Sequence, residues 1–117
     1  MSKAAYWQRG EALDYVNSGT TKIEANTVIV LGGVISVAGM EIAPGETGTV
    51  HVTGVFEMPK TGTAAISMGQ KVYFDGNGIT NAADDGATTN KTEYTLAGYA
   101  AAAAAAADQN ILVKINA

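Results

Sequence analysis

The chain has 117 residues, a formal net charge of −4 and no cysteine, enough for one domain but not comfortably for two. Only 24 residues are Val, Ile, Leu or Phe, because 21 of the apolar residues are Ala; the low charged fraction of 15% nevertheless lacks the high net charge that accompanies disorder, so the chain is expected to fold. Absent cysteine excludes disulfide scaffolds, thiol catalysis and Cys-based zinc sites. No run of about 18 apolar residues is present to span a membrane, and the seven scattered Lys and Arg form no basic stretch for phosphates.

The amino-terminal segment, residues 1–10, reads as an arm ahead of a domain covering residues 11–117. It carries Tyr6, the only Trp at position 7, and Arg9, residue types enriched in interface hot spots, so Tyr6, Trp7 and Arg9 are the candidate partner-interface residues. The alternative is that Trp7 folds back to close one end of the chain's own core. Beyond the arm, 18 of 22 Val, Ile and Leu residues are β-branched, accompanied by 13 Thr and 14 Gly. Branching at Cβ restricts rotamers in a helix and suits a pleated sheet, so the class is all-β.

A weak alternation predicts a first strand over Glu11–Val16. Val28–Leu31 and Val34–Val37 flank Gly32-Gly33, a pair that accepts the positive φ angles of a type I′ hairpin turn. The clearest alternation runs from Thr47 to Met58, with Val50, Val52, Phe56 and Met58 on one parity; Gly54 on that parity marks a bulge or a close backbone approach. Lys71–Asp75 meets Ile79-Thr80 across Gly76-Asn77-Gly78 as a second hairpin. Asn81–Thr92 reads as a mobile surface loop. Tyr94–Ala100 and Ile111–Ile115 are expected to be the last strands. The eight consecutive alanines, Ala100–Ala107, are read either as a short Ala-rich helix or as a strand running into a turn, since eight residues make an isolated helix unstable whatever their propensity. Seven or more short antiparallel strands predict a small single-domain β-barrel or β-sandwich.

Few residues offer chemistry. His51, the only histidine, falls on the polar parity with Thr49 and Thr53 and reads as a solvated surface residue. Asp84-Asp85 is the one adjacent carboxylate pair, but it lies in the surface loop and no second group fixes a working separation. Asp75-Gly76-Asn77-Gly78 resembles the opening of a calcium loop only until Ile79 and Gly86 occupy ligand positions. No phosphate-cradling glycine motif occurs, and Ser2, Ser18, Ser36 and Ser67 lack a nucleophile-elbow context. Asn90-Lys91-Thr92 matches a glycosylation acceptor, which carries little weight where Met1–Val16 offers no apolar run to act as a signal peptide. No catalytic residue, no metal and no cofactor is expected.

Four segments together carry a resemblance: Gly10–Tyr15, Val28–Val37, Ile42–Val50 and Gly54–Lys60, with Gly69–Asp75 and Ala97–Ala100 extending it. The runs Ile42-Ala43-Pro44-Gly45-Glu46-Thr47-Gly48-Thr49-Val50 and Gly54-Val55-Phe56-Glu57-Met58-Pro59-Lys60 are the most specific. In order and spacing the chain resembles the small phage capsid cement, or decoration, proteins from Gly10 to Ile115. It departs from them in the unbroken alanine run and in Ser36, where a glycine is expected. The resemblance implies a non-enzymatic protein on the outer capsid surface of the virion, made in the host cytoplasm. It implies the major capsid protein as partner and a homo-oligomer (dimer or trimer) on the lattice; the scattered basic residues and the lack of an apolar span leave no nucleic acid and no membrane among the expected partners. A second reading is a free β-barrel binding module that recognises a glycan or peptide on a host surface.

Overall fold

A computed structural model describes residues 2–117; Met1, the first residue of the expected arm, lies outside the described residues. Nine strands follow in order: β1 (Ala12–Val16), β2 (Val28–Leu31), β3 (Val34–Ala38), β4 (Thr47–His51), β5 (Val55–Pro59), β6 (Lys71–Phe74), β7 (Ile79–Thr80), β8 (Thr95–Ala100) and β9 (Asn110–Ile115). They form two antiparallel sheets, ordered β1-β4-β3-β2 and β5-β9-β8-β6-β7. The class is therefore all-β, and of the two expected architectures the chain adopts the sandwich: the sheets stack and do not close into a barrel.

The segment read as one long strand, Thr47–Met58, is two strands in different sheets. β4 pairs with β1 and β3 while β5 pairs with β9. The chain changes sheet at Val52-Thr53-Gly54, where Gly54 holds φ at 121°, a conformation that side chains with a Cβ resist. Alternation is blind to such a corner, because its parity survives the change of sheet. The Gly32-Gly33 hairpin forms as expected, with Leu31 opposite Val34. Only Gly32 takes a positive φ, 65°, the pattern of a type II′ turn and not of type I′.

The alanine run is not a helix. Ala100 ends β8, and the following donors are taken by partners outside the run: Ala101 N–H donates to the Leu112 carbonyl at 2.8 Å and Ala104 N–H to the Ile66 carbonyl at 2.8 Å. An α-helix needs those donors for its own i−4 carbonyls. Ala105-Ala106-Ala107 turns instead, its first N–H donating to the Asp108 carboxylate at 2.8 Å. Lys60, buried at 8% exposure, extends beneath this turn and donates from Nζ to the carbonyls of Gly62 at 2.7 Å and Ala106 at 3.1 Å. Those carbonyls replace the water that an ammonium group loses on burial.

The main core lies between the sheets. Ile35 and Val37 from β3 meet Met58, Val72, Ile79, Ala97, Ala100, Ile111, Val113 and Ile115 from the five-stranded sheet. The alternating Ile111, Val113 and Ile115 are all buried, as read from the sequence. A smaller apolar group forms on the other face of the four-stranded sheet, where Val50 and Ala38 are opposite partners and Ile42 seats against Gly48. Asn17, buried at 4% exposure, closes that side: its Nδ2 donates to the carbonyls of Thr21 at 2.9 Å and Ile42 at 3.0 Å. Ser36, where the resemblance leads to the expectation of a glycine, is fully buried and satisfied by donating to the Ile29 carbonyl at 3.0 Å. The two sheets are tied at one end by Asn116, whose Nδ2 donates to the carbonyls of Ile35 at 2.7 Å and Val52 at 2.8 Å.

Candidate partner interface

Residues 2–10 carry no strand or helix. The arm joins the four-stranded sheet at its β1 edge, where Val52 N–H donates to the Glu11 carbonyl at 3.1 Å. Tyr6 is 82% exposed and Trp7 89%, so neither closes the chain's own core, and the fold-back reading of Trp7 is set aside. Arg9 approaches Glu11 at 3.7 Å, with both side chains more than two-thirds exposed; such a pair contributes at most about 1 kcal/mol. Two aromatic side chains and a nearly free guanidinium thus stand in solvent beside a folded sheet.

Register reveals a second surface that the linear sequence hides. Tyr99 lies opposite both Lys71 and Lys114, so these three side chains form one row across the outer face of the five-stranded sheet, and Val55 opposite Lys114 continues it. Tyr73 opposite Leu96 adds a parallel row. The lysines are 43 residues apart in the chain, and only strand order β9-β8-β6 brings them together.

Between the sheets, on the side of β2 and β5, a cavity of about 220 Å³ opens. Val28, Val37, Phe56 and Met58 supply its apolar walls, and Glu57 lies at its rim. Both flanking strands are sheet edges.

The residues weighed for chemistry in the sequence stand in separate places. His51 is half-buried and not the fully solvated residue expected: Val37 opposite it places it on the core-facing side, where a Cβ on Gly39 would meet its Nε2 at 2.7 Å and Phe56 lies 6.1 Å away, centroid to centroid. Asp75 caps its own hairpin. Its carboxylate accepts from the N–H groups of Asn77 at 2.8 Å and Gly78 at 2.9 Å and from the Thr61 hydroxyl at 2.6 Å. Partial burial pushes this carboxyl up, but the Thr61, Asn77 and Gly78 bonds outweigh it and hold the pKa below the ordinary 3.8. Asp84 pairs with Lys91 at 3.5 Å. Asp85 accepts from Ala87 N–H at 3.0 Å, the main reason its carboxyl also lies low. Among the described residues no three His, Cys, Asp or Glu side chains come together in a way that could hold a metal ion.

The exposed arm, the paired-lysine face and the open sandwich edge are three separate features of the surface. A family model described as phage cement protein matches residues 7–115, nearly the whole chain. The chain belongs to the phage cement protein family. This gives the cement protein a structural role in the phage capsid and a place in the virion. Neither the curated proteins nor the solved structures include a match to it. The matched region begins at Trp7, within the expected arm.

Proposed function

We propose that this cement protein binds the exterior of the expanded icosahedral shell, bridges neighbouring major capsid protein subunits and strengthens the head against the pressure of packaged DNA. It acts as a homo-oligomer on the lattice, with residues 1–10 as an arm, residues 11–117 as the sandwich, and Tyr6, Trp7 and Arg9 as partner contacts. The observation that carries this reading is the family match over residues 7–115; the arm, whose two large aromatic side chains are almost wholly exposed, supplies partner contacts. A net charge of −4 supports the outside of a shell over its DNA-facing inside.

Linkage supplies the mechanism. A protein that binds the expanded lattice and not the dissociated subunits stabilises the lattice by RT ln(1 + [L]/Kd), about 2.7 kcal/mol per site at a hundredfold excess over Kd. Repeated over many sites, modest affinity holds a shell together, and contacts between bound copies add avidity.

The test is co-sedimentation of the purified protein with expanded and with unexpanded shells that lack it, followed by heating. Saturable binding to expanded shells with a raised rupture temperature is expected. Binding to no shell overturns the reading and redirects the search to glycans and host-surface peptides. Deleting residues 1–9 is expected to leave a folded sandwich that decorates shells more weakly; unchanged occupancy would remove the arm from the interface.

A further inference from the structure

The open side of the sandwich has an unusual pair of borders. β2 is an edge strand made of Val28, Ile29, Val30 and Leu31, without a charge, a proline or a bulge to discourage another strand from pairing with it. Its Val30 is 44% exposed. β5, across the opening, is protected: Pro59 has no N–H to offer and Glu57 brings a charge. The cavity of about 220 Å³ between them is smaller than the roughly 300 Å³ at which small-molecule sites begin. It has the scale of one large side chain.

The arm has the complementary properties. In an extended chain alternate residues share a face, so Trp7 and Arg9 project to one side while Tyr6 and Gln8 project to the other. Seating Trp7 among Val28, Val37, Phe56 and Met58 brings Arg9 to the β5 edge, where Glu57 stands exposed on the outward face between Phe56 and Met58. Among the described residues Glu57 makes no ion pair, and Arg9 has only its loose contact with Glu11.

The arm cannot do this within its own chain. Glu11 is held in the ladder beside β4, and Trp7 stands four residues before it, a reach of at most about 14 Å. A strand added beside β2 lies four strand positions from β1 in the order β1-β4-β3-β2, about 19 Å at the usual spacing. Area points the same way. The chain exposes 7432 Å², where a compact monomer of its 11.9 kDa mass exposes about 6,000 Å². The arm, exposed throughout residues 2–9, contributes to that excess, which is larger than the roughly 800 Å² that one partner brings to a stable interface.

Resting on the cement reading above, we infer that the arm of each copy docks on a second copy of this chain, pairing along β2 and seating Trp7 in the cavity between β2 and β5 with Arg9 against Glu57. Donated from one copy to the next, the arm links cement proteins laterally. The capsid contact then falls to other surfaces, the Lys71-Tyr99-Lys114 row among them.

The absence of native cysteine makes a clean test available. Chains carrying Arg9→Cys are mixed with tagged chains carrying Glu57→Cys, and the mixture is oxidised both on expanded shells and free at high concentration. A mixed disulfide dimer as the main product is expected. Bound chains that cross-link only like with like, or not at all, overturn arm exchange while leaving capsid binding intact. If no chain binds the shells, the cement reading fails by itself, and the free mixture decides the exchange: a mixed dimer supports it and its absence overturns it. A double variant that closes the disulfide within one chain also overturns it. Trp7, the sole Trp, gives a second readout. Its emission is expected to move to shorter wavelength as unmodified protein is concentrated, and to stay unmoved when Val28→Asp fills the seat with charge. A shift induced only by capsid protein, and never by self-association, assigns the arm to the capsid and overturns the proposal.

Discussion

The five-stranded sheet buries one complete face, with Val72, Ile79, Ala97, Ala100, Ile111, Val113 and Ile115 each at most 3% exposed. The four-stranded sheet instead divides its burial between two faces, one on the main core through Ile35 and Val37 and one under Ile42, which seats against Gly48. The buried face of the first sheet is covered by Ile35 and Val37 of the second, so the main core belongs to both. The second is half platform, carrying the exposed arm at one edge and an unprotected strand at the other. Stability and partner binding are therefore expected to separate by mutation along the line between the sheets.

The largest effect is expected where the five-stranded sheet is tightest. Gly98 adopts φ 140°, and a Cβ there would collide with the carbonyl oxygen of Lys114 on the neighbouring strand. That contact is backbone, which cannot rotate away as a side chain can. Gly98→Ala is expected to destabilise by about 3–5 kcal/mol, read as a lower urea midpoint, and to remove cooperative unfolding at 37 °C. A change below about 1 kcal/mol would mean that the β8–β9 pairing is looser than the sheet's burial implies.

Next comes the small group on the far side of the four-stranded sheet. Ile42 is fully buried and its side chain fills the space that Gly48 leaves open. Ile42→Ala is expected to cost about 2–4 kcal/mol through the cavity it leaves. Hydrogen exchange sharpens the comparison: the Ile23 and Ile42 amides, which bond each other's carbonyls at 2.9 and 2.8 Å, should exchange faster, while that of Val113 keeps its protection relative to global unfolding. Equal loss at all three would show that the sheets unfold as one unit.

Much of this contrast is legible in the amino-acid sequence. Strand type follows from β-branching, both hairpins from their glycines, and the buried parity of β9 from Ile111, Val113 and Ile115. What escapes a linear reading is whatever depends on distant partners. The corner at Gly54 preserves alternation, so Thr47–Met58 reads as one strand; the alanine run has helical propensity that loses to carbonyls of Ile66 and Leu112; and His51 turns inward because Val37 is its cross-strand partner. In the same way Tyr6, Trp7 and Arg9 are visible as residue types, but the cavity between β2 and β5 and the row of Lys71, Tyr99 and Lys114 exist only through strand order.

A smaller effect is expected at the β6–β7 turn. Because the folded-state pKa of Asp75 lies below the ordinary 3.8, its contribution is fully present above that value and is lost as pH falls below it. Asp75→Asn is expected to lower stability by about 1 kcal/mol near neutral pH. The gap between the two proteins should then narrow in denaturation curves taken below pH 3.8. A gap that stays constant down to about pH 2 would assign the turn's stability to its glycines and not to the carboxylate.

The smallest stability effect is expected at the residue with the largest expected effect on binding. A buried Trp truncated to Ala typically costs about 3–5 kcal/mol, whereas Trp7 at 89% exposure has almost no packing to lose, and Trp7→Ala should shift the unfolding free energy by less than about 0.5 kcal/mol. On shells the same change removes an interface Trp, a class of residue whose loss costs about 2 kcal/mol or more, or roughly thirtyfold in affinity. Thermal unfolding of the free variant beside its retention on expanded shells measures both. Destabilisation above about 1 kcal/mol would place Trp7 in its own sandwich and shrink the contrast between the sheets, since the arm would then complete the four-stranded side instead of leaving it for a partner.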